Sequence, residues 1–392
     1  MRRPSRLVAV AAVAATVAAG GAVAVAATLD AGPAHPPRTT LAGAVTRWLN
    51  AERPAGVTAE LRLTTRLVDT GRLADGAALL AGATGTVHVA PNGHARLDVR
   101  TVRGDAAVTF DGQRLAIYDA RTNTVYRLDA PEALRHAVTR AGDSGTPSAA
   151  AIGVALVGLA SQAAITGPEP GNTAGQPSYT VRLSPRRDAG LLGALEVAWD
   201  AVRGVPLRVA LYAEGGDQPV VELEATDVRY APVVDADLTI EPPSDARVVD
   251  LSSRLEDLRT EAEQRLDATD AEGVDAVSRA MPFDLRAPDA LVGLPLAGIR
   301  AVVWDGRPAA VALYGRGLGQ VVVLQEPAGP GDLVAEGRRG ALPAVAIEGA
   351  AGWELVTALG TVIRVERDGV RTTIAGSVPA VAAEAAVREL LR

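Results

Sequence analysis

The 392-residue sequence predicts an α+β protein that is mainly antiparallel β, a curved sheet plugged by helices and followed by a smaller C-terminal α+β domain. Three observations carry that expectation. Short runs alternate apolar and polar residues between turn residues, the period of a sheet solvated on one face. Alanine-rich helical stretches interrupt those runs. More strands resume beyond a charge-dense segment.

Arg2, Arg3 and Arg6 precede an uncharged run from Leu7 to Leu29, the pattern of an export signal. At ~1.5 Å per helical residue the run is also long enough to span a bilayer. Residues 1–29 therefore read as a signal peptide or an N-terminal membrane anchor, with Ala22-Val23-Ala24 and Ala24-Val25-Ala26 as cleavage patterns. Either reading exports the protein, to the extracytoplasmic face of the cell membrane or beyond. With no cysteine, the chain has neither disulfides nor an acylated lipobox. Removing Arg2, Arg3 and Arg6 from the 39 basic residues leaves 36 against 46 acidic ones, a net of −10. That balance excludes nucleic acid as a partner. Every basic residue is arginine, and only 3% of the chain is aromatic, so an apolar cavity would be lined by Val, Leu and Ala.

Residues 30–40, with Pro33, Pro36 and Pro37, read as an extended linker. The first domain is expected over 41–249. Leu41, Val45, Trp48 and Leu49 fall at helical spacing, with the tryptophan docking this helix on a sheet. Strands follow: Leu61 and Leu63; Val87 and Val89 joined to Leu97 and Val99 by an Asn92-Gly93 turn; and Val108 to Leu128, hinged at Asp111-Gly112 and at Asp119 to Thr124. Asp-Gly between alternating runs predicts a type I′ turn, with both residues at positive φ. Pro131 to Ala141 and Pro147 to Ile165 read as helices covering the apolar face. Tyr179, Val181, Leu183 and Leu195, Val197, Trp199 mark two more strands, and Val221 and Leu223 another.

Residues 250–287 belong to a charged helical connector, in a segment whose character changes at Arg247. The second domain is expected over 288–392, with strands at Ile299 to Trp304, Ala309 to Tyr314, Gln320 to Leu324, Thr361 to Glu366 and Arg371 to Ile374. A last helix starts at Pro379 with Val381, Ala385, Val387 and Leu390 on its apolar side.

No motif supports an enzyme. Gly142-Asp143-Ser144-Gly145 matches the serine environment of trypsin-like proteases, but His136 stands too near in sequence to supply that family's order of catalytic residues. His88 and His94 bracket a hairpin without the further ligands zinc requires. Gly315 to Gly319 precedes a strand, not the helix a phosphate cradle needs. Asp143, Asp217 and Glu222 show no pairing of an acid with a base. Catalytic, metal and cofactor residues are thus not assigned. The candidate ligand-cavity residues are Val87, Val89, Leu97, Val99, Tyr179, Val181, Leu183, Leu195, Val197 and Trp199, which also suit an ordinary core.

From about Leu41 to Val249, Phe110-Asp111-Gly112, Tyr118-Asp119, Tyr179-Thr180-Val181 and the hairpin from Asp200 to Leu207 resemble LolA-like lipoprotein carriers and RseB-like sigma-factor regulatory proteins. Gly317 to Val323, Leu359 to Val362 and Gly376 to Pro379 resemble the C-terminal domain of carrier-like exported proteins of high-GC Gram-positive bacteria. The resemblance implies an incomplete (half) β-barrel with a helical lid, whose interior holds acyl chains. It implies a lipid or lipoprotein as ligand, or a lipid-sensing module that binds a membrane anti-sigma factor.

Overall fold

The computed structural model describes residues 35–52, 54–68, 82–101, 104–130, 163–186, 190–252, 271–304, 306–329, 333 and 342–392. Residues 1–29, His136, Ser144 and the expected lid helices up to residue 162 lie outside them.

Period-2 alternation builds a first sheet of twelve strands: β1 (Val57–Thr65), β2 (Ala83–Val89), β3 (Ala95–Thr101), β4 (Gly104–Phe110), β5 (Arg114–Asp119), β6 (Thr124–Asp129), β7 (Ala163–Thr173), β8 (Gln176–Pro185), β9 (Leu192–Asp200), β10 (Pro206–Ala213), β11 (Pro219–Arg229) and β12 (Arg247–Asp250). Their order is β12-β6-β5-β4-β3-β2-β1-β11-β10-β9-β8-β7. All neighbours are antiparallel except β12, which runs parallel to β6. The sheet is open, with β12 and β7 as its edges, and forms a half-barrel.

Several sequence expectations change here. Ala163 to Ile165 open strand β7 instead of ending a helix; Gly167, Pro168 and Pro170 hid that strand, and an edge tolerates them because one side needs no donors. Arg247–Asp250, where the sequence reads the start of a charge-dense helical segment, is a strand, and Leu251 behind it closes a core with Val108, Phe110, Leu115, Ile117 and Leu128. The Asp111-Gly112 turn is a three-residue loop in which only Gly112 has positive φ. The Asp111 carboxylate accepts from the amides of Gln113 (2.9 Å) and Arg114 (2.6 Å), a bond that favours this turn over type I′.

Helix α1 (Leu41–Leu49) is capped by Thr40, whose hydroxyl accepts from the Gly43 amide at 3.1 Å. Its buried residue is Ala44, while Trp48 stays 41% exposed. The tryptophan still docks as expected: its Nε1 donates to the Gly204 carbonyl (2.8 Å) in the β9–β10 turn. Gly204 leaves room for it, since a Cβ there would stand 2.9 Å from the indole.

A second sheet comprises β13 (Ala290–Leu291), β14 (Leu294–Trp304), β15 (Arg307–Tyr314), β16 (Val321–Pro327), β17 (Ala344–Ile347), β18 (Ala350–Thr357), β19 (Gly360–Arg367) and β20 (Val370–Gly376), ordered β13-β14-β15-β16-β20-β19-β18-β17. The glycine-rich segment from Gly315 links β15 to β16. Helices α2 (Val274–Ala280) and α3 (Ala380–Leu390) contribute to one core with Ile299, Val323, Ile363 and Ile374. Ala383, Ala386, Val387 and Leu390 form the buried side of α3, spaced i, i+3, i+4 and i+7, and Val381 instead faces solvent. The connector assignment also fails for residues 271–287, because Val277 and Met281 are buried in this core. Gln325 ties that segment down, accepting from the Arg286 amide (3.1 Å) and donating to its carbonyl (2.6 Å).

The two units touch where strands of the first sheet end. The Leu191 amide donates to the Ser377 carbonyl (3.1 Å) and hydroxyl (2.9 Å), and the Ala358 amide to the Leu67 carbonyl (2.9 Å). Gly190, at φ +61°, permits this approach, since a Cβ there would stand 2.2 Å from the Ser377 carbonyl oxygen.

Tyr314 is fully buried in the second core and its hydroxyl has no hydrogen-bond partner. Burial, with Glu389 and Asp289 nearby, pushes its pKa up to about 12. A buried unpaired hydroxyl costs ~1–3 kcal/mol in desolvation. Tyr314→Phe is therefore expected to hold or raise the urea midpoint of the second unit; a loss above ~1 kcal/mol would reveal a partner for the hydroxyl.

Candidate functional site

Strand register lays out one apolar floor as two rows, each five strands long. Leu63 pairs with Leu223, Leu223 with Val209, Val209 with Val197 and Val197 with Val181. Two residues along, a parallel row runs Val221, Leu211, Leu195, Leu183 and Ile165 on β11 to β7. Of these ten residues only Val181 is buried; the others are partly exposed.

The sequence candidates divide between two regions of this face. Tyr179, Val181 and Trp199 pack with Ala44 of α1, with Leu183 and Val197 at their margin. Trp199 lies 6.2 Å from Trp48 and 6.3 Å from Tyr179, ring centroid to centroid. The Tyr179 hydroxyl donates to the Pro37 carbonyl (2.6 Å) and accepts from Arg47 (3.0 Å), so this end is sealed by the helix and the segment before it. Val87 packs with Ala59, Leu207, Ala225 and Val228, and Val89 and Leu97 flank that group. Val99 is buried outside both groups, and Leu195 lies in the open floor beyond α1. Sequence reading had named Leu63, Val221 and Leu223 as strand positions without linking them to a site. Val209, Leu211 and Ile165 it missed, although Val209 and Leu211 alternate with Arg208, Ala210 and Tyr212 in the period already used elsewhere.

The opposite face carries charge. Glu196 accepts from Arg182 (2.8 Å), Arg208 (2.9 Å) and the Tyr212 hydroxyl (2.8 Å), and Arg208 also donates to Glu222 (2.6 Å). The Arg182 guanidinium lies 4.3 Å above the Tyr212 ring. Glu222 is therefore paired, with an arginine and not with a second acid. Burial alone would raise the Glu196 pKa, but the hydrogen bonds from Arg208, Arg182 and Tyr212 outweigh it and hold the group below its ordinary value. Desolvation likewise opposes the charge on Arg208, and bonds to Glu196, Tyr212 and Glu222 overcome it and raise its pKa. At the sealed end, Asp200 is fully buried and accepts from Tyr230 (2.6 Å) and the amides of Val202 and Arg203, which fixes the β9–β10 turn.

His88 and His94 do not face each other. His88 pairs with Arg96 and contacts Thr58 (3.2 Å), whereas His94 lies before β3, near Asn92 (3.2 Å) and Asp235 (3.3 Å). Among the described residues no group of three or more His, Asp or Glu side chains is placed to hold a metal ion. The chemistry on offer is burial of an apolar ligand, at ~0.8 kcal/mol per CH₂.

No protein-family model matches this chain, and no curated protein does. Among solved structures it is similar to MucB in complex with MucA(peri), at 17% identity and TM-score 0.42, over 88% of this chain and 97% of that one. It is similar at 16% identity and the same TM-score to the MucA/MucB complex of Pseudomonas aeruginosa, over 88% and 96% of the two chains. A LolA superfamily protein from Nitrosomonas europaea aligns at 10% identity and TM-score 0.23, over 52% of this chain and 98% of its own. These are the two kinds of protein that the sequence motifs resemble. At such identities and scores the likeness assigns this chain neither a ligand nor a partner.

Because the folded pKa of Glu196 lies below its unfolded value, its contribution to stability is present above the unfolded pKa and lost as pH falls through the folded one. Glu196→Gln is expected to lower the neutral-pH urea midpoint and to flatten the decline below about pH 4.5. Parallel acid series for the two proteins would detach the network from acid stability.

Proposed function

We propose that this is an exported cell-envelope protein that binds a lipid or an acylated protein on the apolar floor of the first sheet, without covalent chemistry. The observation that carries the reading is the pair of apolar rows, each in register over five strands, in which every residue but Val181 is partly exposed. Leucines and valines left side by side short of full burial suit a site for an apolar ligand. The ten sequence candidates then play different parts: Leu183, Leu195 and Val197 meet the ligand, whereas Tyr179, Val181 and Trp199 support α1. Val87, Val89, Leu97 and Val99 extend the floor toward β3.

A second reading has its own support. The C-terminal unit is fastened at Leu191 and Leu67, beside the strands that carry the floor. That suits a lipid-sensing module whose second unit contacts a membrane regulator such as an anti-sigma factor. One stoichiometric protein recovered by pull-down from envelope membranes favours this reading, and lipid alone favours the carrier.

Native mass spectrometry of the full chain from an exporting host, with lipid extraction, is expected to find a lipid of defined mass. Leu195→Asp should reduce its occupancy roughly tenfold or more while the circular dichroism spectrum is kept, because a charge is placed in the floor. Val181→Asp, at a buried position, should cost folding itself. A chain that stays free of lipid after incubation with envelope lipids would end this proposal.

A further inference from the structure

At the sealed end of the first sheet, three large apolar side chains point into solvent around one turn. Trp48 is 41%, Leu49 37% and Val202 61% exposed. Trp48 and Ala51 pack against Gly204, two residues from Val202. The patch is rigid: the indole is bonded to the Gly204 carbonyl, and buried Asp200 holds the turn through two backbone amides. Three arginines adjoin it along the chain. Arg38 and Arg47 are exposed, Arg47 reaching the Tyr179 hydroxyl, and Arg203 lies against the Tyr230 ring at 4.3 Å and is paired with buried Asp200 at 3.7 Å.

With residues 1–29 retained as a membrane anchor, the reading on which this inference rests, the chain's own length brings this patch near a bilayer. Pro37 is fixed here by the Tyr179 hydroxyl, 2.6 Å from its carbonyl. The uncharged run ends at Leu29, eight residues earlier, a reach of at most ~3.3–3.6 Å per residue. We propose that Trp48, Leu49 and Val202, rimmed by Arg38, Arg47 and Arg203, form a membrane-contact surface that seats the first sheet on anionic lipid headgroups. Tryptophan suits the headgroup level, arginine attracts anionic lipid, and short aliphatic side chains enter the acyl boundary. The floor and this surface are separate, since α1 stands between the open rows and the patch. Failure of lipid binding at Leu195 would leave this proposal intact.

The absence of cysteine makes a clean test available. The full chain carrying Val202→Cys is labelled with a nitrobenzoxadiazole dye and placed in phosphatidylcholine–phosphatidylglycerol vesicles containing a lipid spin-labelled near the headgroup. The control carries Val381→Cys on α3, at a position 69% exposed. Quenching at residue 202 is expected to exceed that at 381 several-fold, and Leu49→Asp in the Val202→Cys chain should reduce it at unchanged circular dichroism. Equal quenching at the two positions would overturn the proposal, as would dye self-quenching at 202 that reports a second copy on the patch.

Discussion

Strand register is the constraint on which the rest of this molecule depends. Five central strands each place leucine or valine on one face and charge on the other, and side chains alternate with a period of two. A slip of one residue between β9 and β10 would turn one strand over relative to the other and set the charge of Glu196 or Arg208 on the same face as its neighbour's valine. The ion network guards against that slip, because Glu196, Arg208, Arg182 and Glu222 meet only in the observed register. Two short contacts to one carboxylate are partly desolvated and thus worth more than an exposed pair. The polar face specifies the pairing, and the apolar face is free to remain incompletely covered.

That incomplete cover sets the sealed end of the sheet apart from the open one. Near Tyr179 and Trp199, α1 and Pro37 supply the missing half of the core. Farther along, Leu183, Leu195 and Leu211 have strand neighbours but are not fully enclosed. A protein that needed only to fold would gain by covering them, so their exposure has to be weighed against a use. The rigid, aromatic end also gives the open end a fixed frame, since the turn held by Asp200 joins the two strands whose floor residues are Leu195 and Leu211.

The sequence made the interior of both sheets legible and left their margins obscure. Strands such as β8 and β9 alternate large apolar and polar residues, which is a signal that needs no partner to read. The four edges, β7, β12, β13 and β17, were all missed. An edge pairs on one side only, so it tolerates the prolines of β7 and needs little of the apolar pattern. Three of these edges are also joined to their neighbours by Ala174-Gly175, Val292-Gly293 and Glu348-Gly349, turns with positive φ at both residues but without the Asn or Asp that announces them. Strand β18 was hidden differently: its buried positions are Ala350 and Gly352, where a Cβ at Gly352 would stand 1.9 Å from the Arg364 carbonyl, so close packing replaced hydropathy as the requirement. The ion network was invisible for a further reason. Its members are scattered from Arg182 to Glu222, and only the folded sheet makes them neighbours.

The junction at Gly190 and Ser377 has a mechanical meaning. Most contacts between folded units pass through side chains, whose rotamers absorb small displacements as a soft joint would. Here the Leu191 amide meets the Ser377 carbonyl, with the short Ser377 hydroxyl sharing the bond, and the second fastening, Leu67 to Ala358, is main chain to main chain. Such a joint has little slack. Spreading of the floor at Leu183 and Leu195 would be passed on as a tilt of the eight-stranded unit, much as a stiff pointer registers the flexing of the plate to which it is bolted.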